Sequence, residues 1–133
     1  MQIEKRVKEQ IEWNESNSSR NKNCYIIFSV FILVGSIVTA TLVNTCPCFV
    51  QIVSLFVAIS TGLLNFYNFK EKWIIYRMTA ERLKKEEDLF DNNCGEYKDK
   101  SLDVYTINIE RILDESNQLW VESFKKTEKQ QSN

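Results

Sequence analysis

Six side chains in the segment FVQIVSLFVAISTGLLNFYNF recur at helical spacing. Gln51, Ser54, Ala58, Thr61, Asn65 and Asn68 are separated by 3, 4, 3, 4 and 3 positions. On a helix this spacing places them on one face. The other faces carry Ile52, Leu55, Phe56, Ile59, Leu63 and Phe66. Amides and hydroxyls hydrogen-bond without carrying charge, so their chemistry is solvation rather than bond-breaking. Such groups are unfavourable against lipid and turn to a partner helix or to water. Two uses stay open: packing between helices, or lining a polar path. Gln51, Asn65 and Asn68 are large for close packing, which favours a lining. One pair of helices cannot enclose a path, so a lining requires a homo-oligomer.

Catalysis has little to draw on. The chain has no His, no nucleotide-binding Gly-rich loop and no metal-ligand spacing, and its acidic residues fall on polar helical faces. No enzyme activity, cofactor or metal is expected. A net charge of −1 and the lack of a basic patch with interleaved aromatics argue against a nucleic-acid partner. Cys24, Cys46, Cys48 and Cys94 are the only thiols. Cys46 and Cys48 flank Pro47, and a bridge between positions i and i+2 would be badly strained. Without His, two thiolates make a poor zinc site. They are read as small loop residues, with an intersubunit disulfide as the alternative.

What must position the stripe is a membrane hairpin. From Cys24 to Phe69 there is no Lys, Arg, Asp or Glu, a run of 46 residues. It divides into spans at 24–43 and 49–69 and a connector at 44–48 that holds the only Pro. Each span is about 30 Å long as a helix, enough to cross a hydrocarbon core. A signal peptide fits poorly, because 23 polar residues precede the first span and the apolar run is full length. The first span has a weaker stripe, Ser29, Ser36 and Val43 with Gly35 and Ala40 nearby, read as a packing face. The connector holds no basic residue, whereas five precede the hairpin and twelve follow it. The positive-inside rule then predicts two cytoplasmic termini; the expected location is the inner (plasma) membrane.

Outside the spans the pattern is helical. Residues 1–23 form a cytoplasmic amphipathic segment with Ile3, Val7 and Ile11 on a narrow stripe. The run NESNSSRN weakens it and could break it, because Ser and Asn compete for backbone groups. After Phe69 nothing stops the second span from continuing as a helix about 40 residues long. Trp73 and Tyr76 suit an interfacial aromatic belt, and Trp73, Tyr76, Ala80 and Leu83 share a face. Arg77 and Glu81 are an i,i+4 pair, read as structural, with coupling of the stalk to the last helix as the functional alternative. Asn93 or Gly95 suits a left-handed helix end. A last helix from about Ser101 to Phe124 carries Tyr105, Ile109, Ile112, Ser116 and Trp120 on one face. Trp73 and Trp120 are read as anchors and core. Residues 70–126 thus form a cytoplasmic helical hairpin, and 127–133 a frayed tail. The predicted class is an all-α membrane protein. It is a two-transmembrane helical hairpin whose second span continues into a cytoplasmic helix that packs on a C-terminal helix.

Trp73, Tyr76, Arg77, Ala80, Glu81, Leu83, Lys84 and Glu86, followed by Phe90, Gly95, Tyr97, Glu110, Ile112, Glu115 and Trp120, form a pattern behind this hairpin. It resembles the SLATT family, the SMODS- and SLOG-associating two-transmembrane effector domains. The resemblance spans nearly the whole chain. It implies a bacterial or archaeal membrane effector proposed to form pores in nucleotide-signal-linked antiviral defence. It also implies a nucleotide-sensing or nucleotide-synthase partner, since no sensor is fused here. The alternative class is a non-conducting membrane scaffold that recruits partners through its cytoplasmic helices.

Overall fold

The computed structural model describes residues 2–98 and 101–131. Four helices account for most of them: α1 (Gln2–Leu42), α2 (Pro47–Tyr67), α3 (Phe69–Asp91) and α4 (Leu102–Gln131). A single 3₁₀ turn, Gly95–Tyr97, precedes α4. No strand occurs among the described residues. Two of the helices are long and apolar enough to cross a membrane. The chain separates into two compact units, residues 20–70 and residues 1–19 with 71–133.

The first unit holds the second half of α1 and most of α2. Phe28, Ile32, Thr39 and Leu42 of α1 are half-buried and Gly35 is buried. On α2 the covered face is Val50, Val53, Val57, Ser60 and Leu64. The two helices approach most closely at Gly35, where an added Cβ would lie 2.6 Å from Val57 Cγ2. At the other end Phe28 and Phe69 stack at 6.1 Å. The connector is short because the Thr45 and Cys46 N–H groups both donate to the Leu42 carbonyl at 3.0 Å. Pro47 lies at the start of α2 rather than outside it. Its missing N–H costs nothing there, and its fixed φ suits the first helical position.

The second unit is a three-helix cluster, one helix more than the expected hairpin. Val7 and Ile11 of α1 join Leu83 and Phe90 of α3, Tyr97, and Tyr105 and Ile109 of α4 in one core. The α1 stripe therefore has a partner, and it continues through Asn14 and Ser18, each 4% exposed. α3 and α4 run antiparallel, joined from end to end by Lys126–Glu71, the Trp120–Tyr76 ring contact and Arg82–Glu115. The turn after α3 is a Schellman motif: Asn93 N–H donates to Phe90 O at 3.2 Å and Cys94 N–H to Leu89 O at 2.9 Å. Both residues expected to suit a left-handed end adopt positive φ, Asn93 at 51° and Gly95 at 62°.

Two expectations about helix boundaries are corrected, and one that was left open is decided. The second span does not run unbroken into the following helix: Asn68 stands in the left-handed region (φ 46°, ψ 43°) between α2 and α3. Asn enters that region more readily than most residues. Conversely, NESNSSRN does not interrupt α1. Asn14 and Asn17 donate to the carbonyls four residues back, at 2.8 and 2.9 Å, so their amides bond inside the helix instead of competing with it. Finally, α4 continues to Gln131, because KKTEKQQ holds no Gly or Pro and is rich in good helix formers. Ser132 and Asn133 of the expected tail lie outside the described residues.

Candidate functional site

The polar stripe occupies its own sector of α2. At 100° per residue it is centred about 90° around the helix from the face packed on α1. Gln51, Ala58, Thr61 and Asn65 are exposed, and Ser54 and Asn68 are half-buried. A third sector is apolar and outward: Ile52, Leu55, Phe56, Ile59 and Phe66 are each at least half exposed. The stripe is therefore not the contact between the two helices of this unit.

Its members differ in what they still require. The Ser54 and Thr61 hydroxyls each donate to the carbonyl four residues back, Val50 O and Val57 O, at 2.8 Å. Hydroxyls satisfied in this way can face an apolar surface. The amides of Gln51 and Asn65 make no such bond and have no bond to any described residue. Asn68 serves the backbone as the left-handed residue that closes α2. Gly62, unremarked by spacing alone, adjoins the stripe with open space where its Cβ would be. Ser54, Ala58 and Gly62 form a small-residue ridge at i, i+4 spacing. Cys46 and Cys48 are both free and exposed at the start of α2.

The residues expected to couple the stalk lie in the second unit and divide in their roles. Arg77 and Glu81 form an exposed pair within α3, 2.9 Å apart, and do not reach α4. The helices are bridged instead by Arg82–Glu115 at 2.5 Å, Arg6–Glu110 at 2.6 Å, Lys84–Glu15 at 2.5 Å and Lys126–Glu71 at 3.4 Å. Exposed pairs of this kind contribute about 0–1 kcal/mol each; they set register more than stability. The Glu15 hydrogen bond, with the attraction of that carboxylate, raises the Lys84 pKa. Trp73 is half-buried. Trp120 is half-buried too, edge-on to Tyr76 at 4.9 Å, and Tyr76 in turn meets Trp13 at 5.3 Å.

Buried polar links tie α3, the 3₁₀ turn and α4 together. Thr79 and Ser116 bond through their hydroxyls at 2.9 Å between α3 and α4. Tyr97 donates its hydroxyl to Glu86 at 2.5 Å and accepts from the Asn108 amide at 2.7 Å. Burial, helped by the bond to Glu86, pushes the Tyr97 hydroxyl up to about 12. Burial and the carboxylates of Glu87, Asp91 and Glu4 raise Tyr105 as well. Every buried polar side-chain atom among the described residues has a partner.

These features define an all-helical protein with two helices long and apolar enough to cross a membrane and a compact three-helix unit. The chain belongs to the DUF4231 family, proteins of unknown function, whose family model matches residues 9–103. That match takes in α2 and α3 whole and stops two residues into α4. It does not name the SLATT family. No curated protein and no solved structure matches the chain.

Proposed function

We propose that this protein is a two-span inner-membrane effector that assembles into a homo-oligomer and forms a pore or channel. In this reading α2 faces the oligomer axis and the outer surface of α1 faces lipid. The observation that supports it is the polar sector of α2 turned away from α1. Gln51 and Asn65 project unpartnered amides away from α1, and amides left against lipid are costly. Copies arranged around an axis give them water. The resemblance to SLATT effectors adds the setting: a prokaryotic antiviral defence system in which a nucleotide-sensing or nucleotide-synthase partner supplies the signal. Both termini are cytoplasmic in this topology, since of the three segments outside the spans only the connector lacks Lys and Arg.

A lining without charged side chains discriminates weakly between cations and anions. Lys70, Glu71 and Lys72 lie in the first turn of α3 and would bias whichever ion enters from that side. The test is conductance of the purified protein in planar bilayers, with Asn65→Leu and Thr61→Leu beside it. Reduced conductance with unchanged assembly is expected, because the substitutions dry the path. Full conductance in both variants removes the stripe as lining. A second reading, a non-conducting scaffold, draws on the locally satisfied hydroxyls of Ser54 and Thr61 and the adjoining Ala58 and Gly62, which suit direct packing of copies. Stable oligomers that never conduct would favour it.

A further inference from the structure

Among the described residues of the three-helix unit, the polar side chains of Asn14, Ser18, Thr79 and Asn108 are buried. Three of them are satisfied: Asn14 donates to Gln10 O, Thr79 to Ile75 O, and Asn108 to the Tyr97 hydroxyl. Ser18 is 4% exposed, yet its hydroxyl has no bond to any described residue. Thr79 and Thr106 each close on the carbonyl four residues back; Ser18 does not. Every fully covered polar side-chain atom among the described residues has a partner, so the Ser18 hydroxyl must keep a small opening. It opens on a cleft of about 290 Å³ between α1 and α3, lined by Glu15, Ser16, Ser18, Ser19 and Arg77.

All five lining residues belong to the three-helix unit, and the two walls are pinned to each other. Trp13 of α1 meets Tyr76 of α3 edge-on at 5.3 Å, and Glu15 accepts from Lys84 at 2.5 Å. The hydrogen-bonding capacity left over has both signs. On α3, Arg77 holds Glu81 through Nη2, and its Nε and Nη1 have no bond to any described residue. On α1, Glu15 spends Oε1 on Lys84, and Oε2 is left. Three serine hydroxyls, each able to donate or accept, complete the lining. The charges balance, Arg77 and Lys84 against Glu15 and Glu81, so the cleft does not select for a net charge. An ion of either sign would set one wall against a like charge, whereas a molecule carrying both signs suits both walls. The cleft is worth about ten waters of liquid volume, enough for a small zwitterion.

We propose that this cleft binds the ammonium and carboxylate groups of a free α-amino acid. The carboxylate accepts from the unused N–H groups of Arg77 and from the Ser18 hydroxyl; the ammonium donates to Glu15 Oε2. Both ends then make charge-assisted hydrogen bonds, the stronger kind. Occupancy joins α1 to α3 and stabilises the unit by mass action. The site stands apart from the proposed pore and does not depend on whether the protein conducts.

Nuclear magnetic resonance of the full chain in detergent micelles tests it, with glycine as the probe because it carries both recognised groups and nothing else. Glycine should shift the amide signals of Ser16, Ser18 and Ser19 saturably and raise the melting temperature. Acetate, methylamine and glycerol at the same concentration should do neither. Ser18→Ala and Arg77→Gln should each weaken binding about tenfold or more, the scale of one hydrogen bond to a charged group. Their melting temperatures without glycine should stay near the parent's, because Ser18 has no bond to lose and Arg77 only an exposed pair. Arg77→Lys keeps the charge but loses the planar fork, and should recover only part of the affinity. No saturable response to glycine overturns the proposal. So does an equal response to acetate, which would make the cleft an anion site, or to glycerol, which would make it a general polar cleft. Unchanged glycine binding in both Ser18→Ala and Arg77→Gln places the ligand elsewhere and overturns it as well.

Discussion

Replacing Gly35 with Ala should loosen the α1–α2 pair more than any other single methyl added to these helices. A Cβ at position 35 would stand 2.6 Å from Val57 Cγ2 and 3.7 Å from Val53 Cγ1. Carbon atoms pack comfortably at about 3.5–4.0 Å, so the helices must separate by about 1 Å at that level. Val57 cannot swing aside at low cost, because a β-branched side chain in a helix has one strongly preferred rotamer. Separation would weaken the contacts of Val50, Val53, Ser60 and Leu64 as well. In lipid no hydrophobic force replaces lost packing between helices. A cost of about 1–3 kcal/mol is expected, the range for overpacked cores. The assay is unfolding of the purified protein in mixed micelles as the denaturing detergent fraction rises, followed by helical circular dichroism. Val57→Ala in the Gly35→Ala background should restore much of the loss. Gly62→Ala is the control: open space surrounds that Cβ position, and the change should be neutral or slightly stabilising through helix propensity. If Gly35→Ala is as stable as the parent and Val57→Ala couples with it by nothing measurable, the close approach is wrong.

Other outcomes follow from the second unit and the loop. Leu83, fully buried in the three-helix core, should cost about 2–5 kcal/mol on truncation to Ala. Trp120→Ala should fall at or below the 3–5 kcal/mol typical of a fully buried aromatic, because the ring is only half-buried; thermal melts of the two variants compare them directly. Tyr97, whose folded pKa is raised from 10.0 to about 12, adds stability that is complete below pH 10 and declines as pH rises towards 12. Tyr97→Phe should flatten that decline in melts taken across the window, Tyr105 contributing the remainder. An impermeant thiol reagent applied to intact cells should label Cys46 and Cys48 and spare Cys94; labelling of Cys94 instead would reverse the proposed topology.

Much of the architecture is determined by the chain's local chemistry. An uncharged run of 46 residues, cut once by Pro47, specifies two apolar helices and a tight connector, because charge and backbone hydrogen bonding decide those features residue by residue. The left-handed turn at Asn93 and Gly95 was legible for the same reason, since few residue types tolerate positive φ. The face of α4 running from Tyr105 to Trp120 could be read from its period. Partners could not. Periodicity says which side of a helix is apolar, not what covers it, and the stripe of Ile3, Val7 and Ile11 found its partners on α3 and α4 only in the fold. Composition likewise could not separate Asn68, which adopts the left-handed conformation, from Asn14 and Asn17, which stay inside a continuous helix; all three have the same side chain, and the surrounding packing and hydrogen bonds select its conformation. Arg77 and Glu81 illustrate the point for charge. Their spacing guarantees a bond along α3, whereas the bonds between helices, Arg82–Glu115 and Lys84–Glu15, depend on how α1, α3 and α4 are rotated about their axes. The polar stripe falls between the two cases. Its spacing is written in α2, but its exposure is set by Gly35, whose missing side chain lets Val57 pack against α1 and leaves Gln51 and Asn65 facing outward.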